Sequence, residues 1–183
     1  MRHRFFVIIS ATIAAWSAPV AAEVVAASEA GFALHYETTV ATSVQRAWAG
    51  IAEPDRWWNG EHTYSGDPAN LTLDPVAGGC LCEVIPRTSG SDLGSVEHMR
   101  VVYVDPRVNT LRLTGALGPL QAEALTGALT IKVEPAASGS KLTWDYVVGG
   151  YARMSLEQFA PVVDGVVGEQ FARLAAWLDE GGW

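Results

Sequence analysis

The chain is poor in cysteine, in positive charge and in the short motifs that hold metals or phosphates. Only Cys80 and Cys82 occur among 183 residues. Two are too few for a disulfide framework, and one intervening residue is too short for a Cys-x-x-Cys redox or zinc motif. Lys and Arg number 12 against 20 Asp and Glu, a formal net charge of −8. That sign gives no broad phosphate-binding surface, so nucleic acid is not an expected partner. It disfavours an anionic membrane surface equally. The sequence has no P-loop, no Gly-x-Gly-x-x-Gly and no Gly-x-Ser-x-Gly, so it carries no nucleotide or serine-hydrolase signature. Charged residues make up 17% and hydrophobic ones 49%. That apolar share can build one ordinary core, which excludes a wholly disordered chain.

Residues 1–22 read as a secretory signal peptide. Arg2, His3 and Arg4 form a basic start, Phe5 to Trp16 an apolar run, and Ser17 to Ala22 a small-residue end. Val20 and Ala22 stand at −3 and −1 of a cleavage site before Glu23. The alternative is a membrane anchor, since Phe5 to Ala22 is 18 residues, near the minimum span. Pro19 and the small residues favour cleavage, so no stable anchor is expected and the location is periplasmic or secreted. Residues 23–31 are Ala-rich without periodicity and read as a linker. The folded domain is expected over residues 32–180.

Residues 32–41 alternate, with Phe32, Leu34, Tyr36, Thr38 and Val40 on one face of a half-buried strand. Thr42 and Gln45 then fit a capping box, and Val44, Trp48 and Ile51 fall on one face of a short helix. Glu53-Pro54-Asp55 starts a second short helix carrying Trp57 and Trp58. Strand signals follow at 70–74, 79–85, 94–105, 110–115, 125–134 and 141–149, separated by short turns that imply antiparallel pairing. Ser155 and Gln158 open the long helix, to about residue 180, with a stripe of Phe159, Val163, Val166, Gln170, Leu174 and Trp177. Leu156, Phe171 and Leu178 widen it. Pro161 should kink or delay its start, and Gly165 and Gly168 weaken it. These pieces predict an α+β helix-grip fold: a curved seven-stranded antiparallel sheet wrapped around a long C-terminal helix, with two short helices after the first strand.

Several strings in this order resemble the START-like (SRPBCC) superfamily. They are Val44-Gln45-Arg46-Ala47-Trp48, Pro54-Asp55-Arg56-Trp57-Trp58, Gly78-Gly79, Val102-Tyr103-Val104-Asp105-Pro106 and Lys141-Leu142-Thr143-Trp144-Asp145-Tyr146. The likeness is strongest to the polyketide cyclase/dehydrase and lipid-transport branch, with heat-shock ATPase activator-like relatives. It implies a cavity between sheet and long helix that holds a small hydrophobic or amphipathic ligand. It implies no cofactor and no shared catalytic motif. The chaperone role of the heat-shock relatives is set aside, because a secreted chain has no ATP-driven partner.

The expected ligand-binding residues are Trp57, Trp58, His98, Arg100, Val102, Trp144, Tyr146, Phe159, Val163, Gly168 and Phe171. His98 and Arg100 share a strand face with Val96, Val102 and Val104, so both could hold a carboxylate or phosphate head in the cavity. The alternative is a twist or bulge that turns both to solvent. Gly168 is expected beside the cavity, where a missing side chain leaves room. No catalytic residue is expected. The rival is a cyclase, dehydratase or hydrolase using His62, His98 or Arg100, with Glu61 or Asp67 assisting His62. The plainer reading of the His62 loop is a hydrogen-bonded turn. The apolar tip Leu117 to Gln121 either folds over the cavity mouth or packs locally. Cys80 and Cys82 are at i and i+2 of a strand, with Cα atoms roughly 6.5–7 Å apart, the outer limit for a disulfide. They are expected as buried reduced thiols. The alternative is a metal site of Cys80, Cys82 and His62 or His98. Asn70-Leu71-Thr72 is a glycosylation sequon.

Overall fold

The computed structural model describes residues 21–86 and 93–181. Its strands are β1 (Ala21–Ser28), β2 (Gly31–Val40), β3 (Leu71–Leu73), β4 (Cys80–Ile85), β5 (Gly94–Asp105), β6 (Thr110–Gly115), β7 (Ala124–Ala136) and β8 (Gly139–Tyr151). Its helices are α1 (Val44–Ile51), α2 (Pro54–Trp57) and α3 (Leu156–Asp179). One antiparallel sheet runs β1-β2-β8-β7-β6-β5-β4-β3. The chain from β3 to β8 is thus a meander, and β2 returns to pair with the last strand.

The sheet has eight strands rather than seven. The additional one is β1, over the segment read as a linker. Val24 pairs with Leu34 and Ser28 with Gly31. An edge strand made largely of alanine has few large side chains to alternate, so it leaves no period-2 signature. Val24 packs on the core while Val25 is 59% exposed. The strand begins at Ala21, two residues before the expected cleavage point. The rest of the signal reading lies outside the described residues.

Alternation gives the sheet its inner face. Phe32, Leu34, Tyr36 and Val40 of β2 and Leu142, Trp144, Tyr146 and Val148 of β8 are buried. So are Leu129, Ile131 and Val133 of β7 and Leu111 and Leu113 of β6. Helix α3 lies on this face, along β1 and β2. It buries Leu156, Ala160, Val163, Val167, Gln170, Phe171, Leu174 and Leu178. Phe171 sits between Tyr36, 5.5 Å between ring centroids, and Trp144, 5.6 Å.

Local signals differ in detail. The cap of α1 is Ser43, whose hydroxyl accepts from Arg46 N at 3.4 Å, not Thr42. The Thr42 carbonyl is instead taken by the Ser140 hydroxyl, 3.1 Å. The buried residues of α1 are Ala47, Gly50 and Ile51, with Trp48 half-buried. Gly50 is required there, because a Cβ would stand 2.7 Å from the Trp177 ring and 2.8 Å from Leu178. Ser155 caps α3 as expected, accepting from Gln158 N at 3.3 Å. Pro161 neither delays nor ends α3. It is exposed, so the Glu157 carbonyl it leaves without a donor can turn to water.

Gly165 of α3 has no atom within 4 Å of where a Cβ would stand. Gly165→Ala should therefore gain up to ~1 kcal/mol of stability from helix propensity alone. A urea melt checks this; a lower midpoint than wild type would contradict it.

Candidate functional site

A cavity of about 560 Å³ opens between the N-terminal half of α3, the loop after α2 and the turn between β6 and β7. Helix α3 supplies Phe159, Val162, Val163, Val166, Val167 and Gln170, the loop Trp58 and Glu61 to Tyr64, the turn Leu117 to Leu120, and β5 His98. The wall is mainly aliphatic and aromatic. The apolar turn lines the cavity, and the Tyr64 hydroxyl donates to its Gly118 carbonyl at 3.2 Å.

Two histidines on that wall are each paired with a carboxylate that does not line it. The inner pair is His98 with Glu83, Nε2 to Oε2 2.9 Å, with side-chain exposures of 5% and 0%. Glu83 stands on the inward face of β4 with Leu81. Its carboxylate also accepts the backbone N–H of Tyr64 (3.1 Å) and of Ser65. Burial alone pushes this carboxyl up, but the hydrogen bonds from Ser65, Tyr64 and His98 outweigh it and hold the pKa below its ordinary value. The outer pair is His62 with Glu169, Nε2 to Oε2 3.0 Å, at the mouth. Asn59 donates its amide to the same Glu169 at 2.6 Å and its backbone N–H to Gln170 Oε1 at 2.7 Å. Gln170 Nε2 donates to the Val166 carbonyl at 3.0 Å. These bonds explain the polar interruption of the α3 stripe: Gln170 is fully buried and stitches the loop to the helix.

A bulge aims His98. Leu81 pairs with Met99 and Cys82 with Glu97, so His98 has no partner residue on β4. The extra residue breaks the alternation and puts both His98 and Met99 inside. Arg100 consequently faces out. It donates to the Gly78 carbonyl at 2.8 Å and pairs with Glu97. Val102 is 49% exposed and is itself the unpaired residue of a second register shift, between Val101 and Tyr103. Neither Arg100 nor Val102 reaches the cavity, and the expected anion clamp of His98 with Arg100 does not form.

Of the other expected residues, Trp58, Phe159 and Val163 line the cavity, as does His62. Trp57 packs beneath it, donating to the Gly50 carbonyl at 3.1 Å, with its ring against Trp144. Trp144, Tyr146 and Phe171 are core residues, each 1% exposed or less. Trp144 Nε1 and the Tyr146 hydroxyl are buried without a hydrogen-bond partner among the described residues. Burial raises the Tyr146 hydroxyl to about 12; the Leu117 backbone tempers the rise without reaching bonding geometry. Gly168 is buried but is not part of the cavity wall. Val166 and Val167 hold that position instead, so Gly168 leaves no room for a ligand. Sequence reasoning missed Glu83, Gln170, Glu169 and Tyr64 as parts of the site. An acidic residue at the inward phase of β4 was the available signal for Glu83.

The cysteines are joined. Cys80 and Cys82 form a disulfide across one residue, with Cα atoms 5.4 Å apart. Strand geometry opposed this bond only for a regular strand. The register shift between Leu81 and Cys82, opposite the His98 bulge, brings the two residues within reach. Both are half-buried on the outer face, not buried thiols. The Cys80, Cys82 and His62 metal alternative fails with them, because both sulfurs are bonded and His62 stands at Glu169 on the opposite face. Among the described residues no cluster of three or more His, Cys, Asp or Glu could hold a metal ion.

No family model and no curated protein matches this chain. Its similarity is to solved structures. An uncharacterised protein from Rhizobium leguminosarum shares 18% identity over 89% of this chain and 99% of that one, with a TM-score of 0.57. CalU16 from Micromonospora echinospora shares 10% over 80% of this chain and 74% of that one, with a TM-score of 0.50. Ara h 8.0201 shares 12% over 80% of this chain and 96% of that one, with a TM-score of 0.52. Identities this low speak for the fold alone.

Proposed function

We propose that this START/Bet v 1-like fold binds one small hydrophobic or amphipathic molecule in the cavity between sheet, loop and α3. The fold is of a ligand-binding type. The observation that carries the reading is the cavity itself: an aliphatic and aromatic wall interrupted by a few polar groups, at the size of a small-molecule site. The relationship with the polyketide cyclase/dehydrase and lipid-transport branch is part of this proposal. So is a periplasmic or secreted location, which the Cys80–Cys82 disulfide supports, because such bonds persist in oxidising compartments. No described helix is long and apolar enough to cross a membrane.

A second reading, turnover of the bound molecule, is favoured by the two histidines on the wall, each paired with a carboxylate. Arg100 drops out of that reading because it faces away.

Val166→Trp tests the first reading. Val166 is half-buried on the wall, so an indole there takes up part of the cavity, while the buried Phe171 and Leu174 do not line it. The variant should keep the wild-type melting temperature and lose binding of the neutral fluorophore N-phenyl-naphthylamine. Wild-type affinity for that probe in a folded variant sinks the proposal.

A further inference from the structure

The chemistry of the inner pair selects the ligand's polar end. Glu83 accepts two backbone N–H groups, the environment of an ionised carboxylate. A carboxylate can only accept, so His98 Nε2 is the donor in their 2.9 Å contact. In the neutral imidazole one nitrogen carries the hydrogen and the other a bare lone pair. The bare one is then Nδ1, and it makes no hydrogen bond among the described residues. Backbone amides fix the carboxylate, the carboxylate fixes the tautomer, and the tautomer leaves Nδ1 as the unpaired acceptor of a residue that lines the cavity.

Charge points the same way. Among the described residues lining the cavity there is no Lys or Arg. Glu83 and Glu169 stand directly behind the two imidazoles. An anionic head would meet lone pairs and negative charge. A hydroxyl would meet an acceptor of matching sense, in surroundings where an unmatched polar group is expensive.

We propose that His98, held by Glu83, determines specificity in this cavity, and that the ligand is a neutral amphiphile whose hydroxyl donates to His98 Nδ1. This rests on the cavity-binding reading above. His62 offers the same chemistry with less discrimination. Its side chain is 31% exposed against 5% for His98, so water satisfies a ligand's polar end there at little loss.

The test is a ladder of three ligands titrated calorimetrically into the full chain in mildly alkaline buffer. The ligands are para-heptylphenol, its methyl ether and para-heptylbenzoate. The phenol should bind about tenfold more tightly than the ether, the scale of one buried hydrogen bond, and the benzoate more weakly than the phenol. His98→Leu should bring phenol and ether together while keeping the ether's affinity, which separates hydrogen bonding from the size of the added methyl. Should that variant not fold, nitrogen NMR of the wild-type histidines decides. The His98 Nδ1 resonance should move with the phenol and stay with the ether. Equal binding of phenol and ether, a benzoate that binds most tightly, or an Nδ1 resonance unmoved by the phenol overturns the proposal while leaving the cavity reading standing. Failure of all three to bind overturns the cavity reading and this one with it.

Discussion

Phe171→Ala should destabilise the protein by ~3–5 kcal/mol, the range for deleting a buried aromatic ring. Phe171 has no exposed surface and its ring is held between Tyr36 and Trp144. Those neighbours are anchored to different elements, β2 and β8, and cannot collapse into the void without moving the sheet. Tyr36 is tethered further by its hydroxyl, which donates to Asp164 Oδ1 at 2.8 Å. The loss is a large share of the ~5–15 kcal/mol available to a whole domain. Chemical denaturation followed by tryptophan fluorescence measures it. A loss below ~1 kcal/mol would show that the ring is not the central contact of α3 with the sheet. Because Phe171 lies behind the wall rather than on it, the folded fraction of the variant should still bind the neutral fluorophore.

Glu83→Ala should cost a similar ~3–5 kcal/mol, since removing one partner of a buried pair leaves the other without compensation. The Tyr64 and Ser65 N–H groups lose their acceptor as well. The effect has a pH signature. The folded-state pKa of Glu83 lies below its ordinary 4.5, so the carboxylate favours the fold above the unfolded value. That contribution is lost as pH falls below about 4.5, through the folded pKa. Urea melts of wild type and Glu83→Gln through the acid range should therefore converge as the pH drops. Curves that stay parallel to the most acid pH would show that Glu83 is not held as a carboxylate.

The fold was legible wherever burial has a period. The alternation of β2 and the stripe of α3 each place large side chains on one face, and the structure keeps them there. Strand β1 was not legible, because half of its residues are alanine and its two adjacent valines give too few large side chains to show a period. The site was legible where it follows those periods, as at Phe159 and Val163 on α3. It failed where a single inserted residue changes phase. Strict alternation puts His98 and Arg100 together; the bulge separates them, keeping one on the wall and sending the other to Glu97. The same irregularity let Cys80 and Cys82 bond where regular spacing spoke against it. Trp144, Tyr146 and Phe171 have the right elements and the right face, yet they lie one layer too deep. Their depth depends on how closely α3 approaches the sheet, a distance no local pattern records. The pairs His62–Glu169 and His98–Glu83 join residues far apart or out of phase, so they become visible only once the chain is folded.

The order of strands also sets a timetable. Strand β2 is among the first described elements and pairs at once with β1, yet its other partner is β8, with His35 meeting Asp145 at 2.7 Å across 110 residues of chain. The strands from β3 to β8 need only short hairpins and can zip locally. Closing β2 onto β8 requires a far longer loop, whose entropy must be met before the contact returns anything. A chain emerging from its N-terminus therefore carries β2 with an unpaired edge until nearly all of the sheet exists, and α3 comes later still. The cavity takes one wall from α3, so it cannot close before that last element docks. Any fragment stopped short of α3 shows an apolar sheet face to the solvent, where aggregation competes with folding.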